Sequence, residues 1–210
     1  MRTAPRDDAR NRKILYAIGA SGFLMLALVV GFLVLADGGG DDEDSAQGAV
    51  ATIRGAGWTY EKAKDQGRTH VPVFSDNFKY NTVPGTSGEH SNQTVIYGIY
   101  DQQVSEINYV HNLEHGAVGM FYGPDVPRSS VDQMREYYQR DPRGLIMAAD
   151  PRLGDQIALT AWTHIAKGKT FNEEVFDTFV DNFGFKGPES CKNDIEQGCF
   201  RRENLEPGNQ

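Results

Sequence analysis

An uninterrupted apolar segment near the N-terminus constrains this chain more than any other feature. From Ile14 to Ala36 there are 23 residues without a charged side chain. As an α-helix this segment would extend about 35 Å at ~1.5 Å per residue, which is enough to cross the hydrocarbon core of a bilayer. We therefore predict that residues 14–36 form a single transmembrane helix.

The charges on either side of this segment predict its orientation. Residues 1–13 are rich in arginine, whereas residues 37–48 are rich in glycine and acidic residues. Because basic residues are retained on the cytoplasmic side, we expect residues 1–13 in the cytoplasm and the main domain outside the plasma membrane. Residues 37–48 show no apolar periodicity and are interpreted as a flexible linker.

A cleaved signal peptide ending near Ala36 is the alternative interpretation of the same segment. The apolar core of a signal peptide usually has only ~7 to 15 residues, so the length favours an uncleaved anchor. Both interpretations predict that the rest of the chain is exported.

We expect one folded domain over residues 49–189, followed by a C-terminal tail, residues 190–210. Three segments rich in β-branched and aromatic residues predict strands: Thr94–Tyr100, Ala117–Tyr122 and Ile157–Trp162. Strands and helices without regular alternation predict an α+β fold, a small mixed or antiparallel sheet with helices covering one face.

Two capping-box patterns predict helices in this domain. Ser130 with Gln133 would open a helix that ends near Arg140, and Thr170 with Glu173 would open a helix that ends at Gly184. In the second helix, apolar residues recur at helical spacing, which is typical of packing against a core: Val175, Phe176, Phe179, Val180 and Phe183.

Charge and missing motifs narrow the possible functions. The formal net charge is -8, which disfavours a nucleic-acid partner because phosphate binding requires a basic surface. The sequence has no G-x-S-x-G, Walker or G-x-G-x-x-G motif, so nothing in it indicates a hydrolase of that type or a nucleotide-binding enzyme.

A cluster of histidines is the strongest functional signal. His111 and His115 lie four residues apart, on one face if the segment is helical. Imidazole is the commonest metal ligand in proteins, and a nearby carboxylate orients it or completes the ligand set. We predict a site for copper or zinc, with Glu106 as an orienting carboxylate, and its candidate ligands are His90, His111, His115, Glu114 and, as a further ligand, His70.

Two other interpretations of these residues remain open. Histidines bonded to carboxylates or carbonyls can organise a polar core without any metal, which would make the domain a structural or partner-binding module of the cell envelope. The letters H-x-x-E-H at 111–115 also match a zinc-peptidase motif. That motif requires a long helix, whereas Gly116 and a predicted strand follow at once, so we favour a non-enzymatic function.

The run from Ser105 to Tyr122, SEINYVHNLEHGAVGMFY, resembles the bacterial DUF3105 family, membrane-anchored or exported proteins of uncharacterised function. The resemblance covers roughly residues 49–189, although Gly85 stands where the family pattern has a second proline. It supports one exported domain and draws attention to the same histidines and glutamates without implying a chemistry. Further similar segments are Gly67–Val71, Pro84–His90 and Leu159–Trp162.

The chain has two cysteines, Cys191 and Cys199, and both lie in the predicted exported tail. An oxidising compartment favours a disulfide between cysteines this close in sequence. We predict that this bond fixes the tail.

Overall fold

The computed structural model describes residues 41–72, 78–192 and 197–208. The predicted transmembrane segment, residues 14–36, lies outside them. Within the described residues, no helix combines the length and the apolar character that a membrane span requires. The chain divides into two compact units, residues 1–46 and residues 47–210, and the sheets and the candidate site belong to the second.

The secondary structure is that of an α+β domain, as predicted. The helices are α1 Asp41–Gly55, α2 Glu106–Glu114, α3 Arg128–Arg140 and α4 Glu173–Phe183, with short 3₁₀ turns at Pro151–Leu153 and Arg202–Asn204. The strands are β1 Thr59–Lys62, β2 His70–Val71, β3 His90–Ser91, β4 Ile99–Tyr100, β5 Val118–Tyr122, β6 Leu145–Ala149, β7 Ile157–Ala161 and β8 His164–Gly168.

Six of these strands form one mixed sheet in the order β1-β8-β7-β5-β6-β4. Strand β8 is antiparallel to both β1 and β7, and β7 is antiparallel to β5. Strand β6 runs parallel to both β5 and β4. The other two strands, β2 and β3, pair in parallel as a small separate sheet. That small sheet positions the candidate site.

The central strands of the large sheet are buried on both faces. Successive residues of β5, β6 and β7 are buried, although neighbouring side chains of a strand point to opposite faces. Helix α2 packs against one face through Tyr109, Val110 and Leu113, which lie in one core cluster with residues of these strands.

Two of the three predicted strands match β5 and β7 closely. The third, Thr94–Tyr100, is a strand only at Ile99–Tyr100, because the backbone of Val95 pairs with a side chain. Val95 N–H donates to Asn112 Oδ1 at 2.8 Å, and Asn112 Nδ2 donates to the Val95 carbonyl at 2.8 Å. The Asn112 amide therefore replaces a neighbouring strand at this point.

Both predicted helices exist, but their capping residues differ from the prediction. Helix α3 begins at Arg128, and Ser130 Oγ instead accepts a hydrogen bond from Phe171 N–H at 3.1 Å. Helix α4 is capped by Asn172, whose side chain accepts from Val175 N–H at 3.2 Å. Its five predicted core residues are all buried, and Gly184 ends it as predicted.

The predicted flexible linker over residues 37–48 is wrong for residues 41–48, because helix α1 begins at Asp41. Alanines, which have the highest helix propensity, recur through this segment, and Ala49 and Ile53 are buried. Burial of these side chains stabilises a helix that composition alone does not indicate.

The predicted disulfide between Cys191 and Cys199 is present. Beside it, Cys191 N–H donates to the Phe200 carbonyl and Phe200 N–H donates to the Glu189 carbonyl, both at 2.8 Å. The bond therefore joins two chain segments that the backbone also pairs.

Candidate metal centre

The small parallel sheet brings two predicted ligands together. His70 on β2 and His90 on β3 are partners in register, and Thr69 O accepts a hydrogen bond from His90 N–H at 3.0 Å. Helix α2 packs against β3 and supplies His111 and Glu114, which lie three residues apart on one helical face. Segments distant in sequence therefore converge on one point.

A glycine turn fixes the ring of His90. Gly88 has a φ of +131°, a conformation that side chains rarely allow. Its carbonyl lies 2.8 Å from His90 Nδ1, and because a carbonyl only accepts, Nδ1 carries the hydrogen. The side chain of His90 is fully buried, so this bond determines which nitrogen remains for other partners.

The remaining nitrogen of His90 faces a buried carboxylate. His90 Nε2 lies 3.0 Å from Glu114 Oε2, and the side chain of Glu114 is only 2% exposed. In neutral His90, Nε2 carries a lone pair, so the carboxylate and the imidazole would present two acceptors to each other. A proton or a metal ion bound by these two groups would replace the repulsion between the two acceptors with an attraction.

His111 also has an unsatisfied nitrogen. Its Nδ1 is buried and has no hydrogen-bond partner among the described residues. Burial lowers the pKa of His111 to about 4, helped by the neighbouring His90 and His70, and the backbone at Gln93 and Ser91 offsets this only in part. The ring is therefore neutral near pH 7, which is the form that binds metals.

Three imidazoles and one carboxylate form the resulting group. One ligand atom from each of His70, His90, His111 and Glu114 lies within 4.8 Å of all the others. The rings also contact one another, with centroids 4.7 Å apart for His70 and His90 and 5.1 Å apart for His90 and His111. Nitrogen donors with one carboxylate suit zinc and copper, so this group could hold a metal ion.

The group is open to solvent on one side only. The side chain of His70 is 45% exposed, and its Nε2 lies 3.7 Å from Glu114 Oε2. Arg68 is also exposed, and its Nε lies 3.9 Å from Glu114 Oε1, too far for a hydrogen bond. Among the residues that the structure describes, Glu114 therefore accepts no hydrogen bond from a guanidinium group.

His115 belongs to a second, adjoining group. Its Nε2 lies 3.3 Å from Glu189 Oε2, and its ring contacts His111 with centroids 4.4 Å apart. Phe200 stacks on its other face at 3.5 Å. Burial, followed by the neighbouring His111, lowers the pKa of His115 to about 3. The structure therefore separates His115 from His90 and Glu114, with which it was predicted to share one ion.

Glu106 does not orient the histidines, which corrects that prediction. Its Oε1 accepts from Gly85 N–H at 2.8 Å, and both oxygens accept from Arg152 at 2.6 and 2.9 Å. Arg152 also donates to the buried Asp150. Glu106 therefore holds the loop before His90 in place through charge pairing and contributes to the site only indirectly.

The fifth histidine, His164, lies apart from the other four. It begins β8, and its Nδ1 forms a 2.7 Å hydrogen bond with the Tyr60 hydroxyl. Its ring stacks on Phe183 at 4.6 Å. Burial lowers its pKa to about 4. The Tyr60 hydroxyl therefore supplies a hydrogen-bond partner to this histidine, which packs as a structural residue.

The sequence did not indicate two of the residues that complete these groups. Glu189 lies far along the chain from His115, and Arg68, although it lies in the family-like segment Gly67–Val71, was not singled out as a site residue. Asn112 was visible within the histidine motif, but its pairing with Val95 depends on tertiary contact. For Arg68, the available sequence signals were its place in the family-like segment Gly67–Val71 and its short spacing from His70.

Comparison with known proteins establishes the family. The model of a family described as "Protein of unknown function (DUF3105)" matches residues 73–194, more than half of the chain. The chain belongs to the DUF3105 family. The matched region contains His90, His111, Glu114 and His115, whereas His70 precedes it. No curated protein and no solved structure shows significant similarity to the chain.

Proposed function

We propose that this DUF3105 protein is anchored in the plasma membrane by residues 14–36 and reversibly binds a copper or zinc ion in its exported domain. The ligands are His70, His90, His111 and Glu114. The contact between His90 Nε2 and Glu114 Oε2 at 3.0 Å carries the proposal, because it places a lone pair against a buried carboxylate.

The tautomer of His90 supports a metal ligand. Histidines that bind metals through Nε2 commonly donate Nδ1–H to a backbone carbonyl or a carboxylate, which fixes the ring and makes it more basic. The Gly88 carbonyl has this position. A cation bound to Nε2 would also neutralise Glu114, whose charge is otherwise costly to bury.

The neutral state of the His111 ring supports binding near pH 7. Metal ions compete with protons for imidazole, and the pKa of His111 is about 4. Few protons need to be displaced from this ring near pH 7. Because protons and metal ions compete for imidazole, affinity for the ion should fall as the pH is lowered.

Reversibility follows from the uneven exposure of the ligands. His90 and Glu114 are buried, whereas the side chain of His70 is 45% exposed. An exposed ligand on a two-residue strand can exchange with an external ligand without disruption of the core.

The peptidase alternative is less well supported. Helix α2 has nine residues and ends at Glu114, and the Glu114 carboxylate contacts His90 rather than an open cleft. A general base must reach the attacking water. The structural alternative needs a proton instead of a metal between His90 and Glu114, and this difference is measurable.

The test is the metal content of the full chain. The protein is expressed with an affinity tag free of histidine, purified in detergent without chelator, and analysed by elemental mass spectrometry before and after incubation with zinc or copper. Glu114→Gln and His90→Gln remove ligands, and His164→Gln is the matched control outside the cluster.

We expect about one tightly bound ion per chain in the wild type and in His164→Gln. Both ligand variants should retain their circular dichroism spectrum but weaken binding at least about tenfold, since even indirect partners of metal ligands change affinity by this much. A wild type that refuses both metals, or folded ligand variants that bind as well as the wild type, would contradict the metal proposal and favour the structural module.

A further inference from the structure

We propose a second cation position beside the first, formed by His111, His115 and Glu189. It rests on the proposed function in sharing His111 with that centre, but it has its own carboxylate and its own imidazole. One ligand atom from each of these three residues lies within 4.8 Å of the other two.

The geometry of His115 supports a ligand at this position. Its Nε2 lies 3.3 Å from Glu189 Oε2, and its side chain is 11% exposed. Phe200 covers one face of the ring with nearly parallel planes, 14° apart, and His111 contacts the ring at 63°. The ring is thus held in position at the edge of the first centre.

The buried nitrogen of His111 provides an independent observation. His111 is 8% exposed, and its Nδ1 has no hydrogen-bond partner among the described residues. A buried polar atom without a partner is costly. Neutral imidazole has a single ring lone pair, so His111 can bind an ion at each position only as an imidazolate, with its ring N–H proton released to solvent when the second ion binds.

The C-terminal segment fixes the carboxylate of this position. Glu189 N–H donates to the Glu114 carbonyl at 3.0 Å, and the Glu189 carbonyl accepts from Phe200 N–H at 2.8 Å. Ser190 Oγ donates to the His115 carbonyl at 3.1 Å. These bonds attach the segment to the end of helix α2 on both sides of Glu189.

The second position is the weaker of the two. It offers three ligands instead of four, and the side chain of Glu189 is 39% exposed, so water competes for the ion. Two divalent cations that share an imidazole also repel each other. Filling the first position should therefore lower the affinity of the second.

The experiment is a zinc titration of the full chain in detergent, followed by calorimetry, at the same pH for all variants. We expect two phases, a tight one and a weak one. Glu189→Gln and His115→Gln should remove only the weak phase, whereas His90→Gln should remove only the tight phase. The matched control is Glu136→Gln, which changes an exposed glutamate on helix α3.

The outcomes separate this inference from the proposed function. One ion per chain, with an affinity that does not change in Glu189→Gln, overturns the second position and leaves the first intact. Binding that responds to Glu189→Gln but not to His90→Gln overturns the first position and keeps the second. A weak phase lost equally in Glu136→Gln reflects non-specific charge and also overturns the second position.

Discussion

Helix α2 carries a glutamate at each end, and the two are stabilised in opposite ways. Glu106 is the first residue of the helix and Glu114 the last. The helix dipole favours a negative charge at the N-terminus and disfavours one at the C-terminus. Glu106 also receives two hydrogen bonds from Arg152, whereas Arg68 Nε lies 3.9 Å from Glu114 Oε1, beyond hydrogen-bond distance.

This difference separates a structural carboxylate from a functional one. Glu106 has a permanent cation within the protein, and its network is complete. Glu114 is more deeply buried, stands at the unfavourable end of the helix and faces histidines whose lone pairs need a cation. A carboxylate that the fold leaves uncompensated is a better candidate for binding an ion than one with a guanidinium partner.

The largest expected effect concerns the stability provided by Arg152, the cation that pairs with Glu106. Arg152→Met leaves Glu106 and the buried Asp150 without their shared cation, and breaking such a pair costs about 3 kcal/mol of unfolding free energy. Urea denaturation of the metal-free protein measures it. Lys169→Met, which breaks an exposed pair with Asp155, should cost less than about 1 kcal/mol; equal losses would mean that burial does not matter here.

The second-largest effect concerns Glu114, the carboxylate at the C-terminal end of helix α2. Zinc at about 100 times its dissociation constant should stabilise the wild type by about 2.7 kcal/mol. Glu114→Gln should abolish most of this stabilisation, yet leave the metal-free stability almost unchanged, because the new amide can donate to His90 Nε2. Thermal denaturation with and without zinc reports both. A large loss of metal-free stability would show that Glu114 is structural, like Glu106.

A smaller effect concerns His164 and the pH dependence of the free energy of unfolding. The pKa of His164 is about 4 in the folded protein and about 6.5 in an unfolded chain. The unfolded state therefore takes up the proton first, so stability present above pH 6.5 is lost as pH falls towards 4. We expect His164→Gln to reduce the loss between pH 7 and pH 5 by about 2 kcal/mol, measured by urea denaturation. An unchanged pH slope would contradict this.

The smallest effect compares the two arginines directly. Arg68→Met should change the metal-free stability by less than about 0.5 kcal/mol, because an exposed ion at this distance contributes little. It should also tighten zinc binding by a few-fold, since it removes a positive charge that repels the metal ion. Competition with a chromogenic chelator measures the affinity. Weaker zinc binding in this variant would assign Arg68 a supporting function at the site.

Local sequence patterns predicted the elements whose composition or periodicity favours one type of secondary structure. The strands at Ala117–Tyr122 and Ile157–Trp162 are rich in β-formers, and the apolar face of helix α4 has a clear period, so these were predictable. Strand β6, Leu145–Ala149, was not, because leucine, methionine and alanine also favour helices. Its parallel pairing with β5 and β4 determines its conformation, and pairing between distant segments leaves no local pattern.

The site residues also differ in whether a local pattern could predict them. The motif around His111 and Glu114 was visible because a helix places residues three and four apart on one face. The error on Glu106 arose because its partner, Arg152, lies 46 positions further on. Glu189 was missed for the same reason: an isolated glutamate at the end of the predicted domain carries no signal until it packs beside His115.

The parallel pairing of His70 with His90 has a kinetic consequence for an ion held between them. The buried partner anchors the ion while the outer ring can swing away and be replaced by a ligand from an approaching molecule. Release would then proceed by substitution, accelerating with the concentration of the acceptor, rather than by spontaneous escape. In the proposed function, strand β2 would therefore be the segment at which the bound ion is exchanged, while the rest of the domain would keep its conformation.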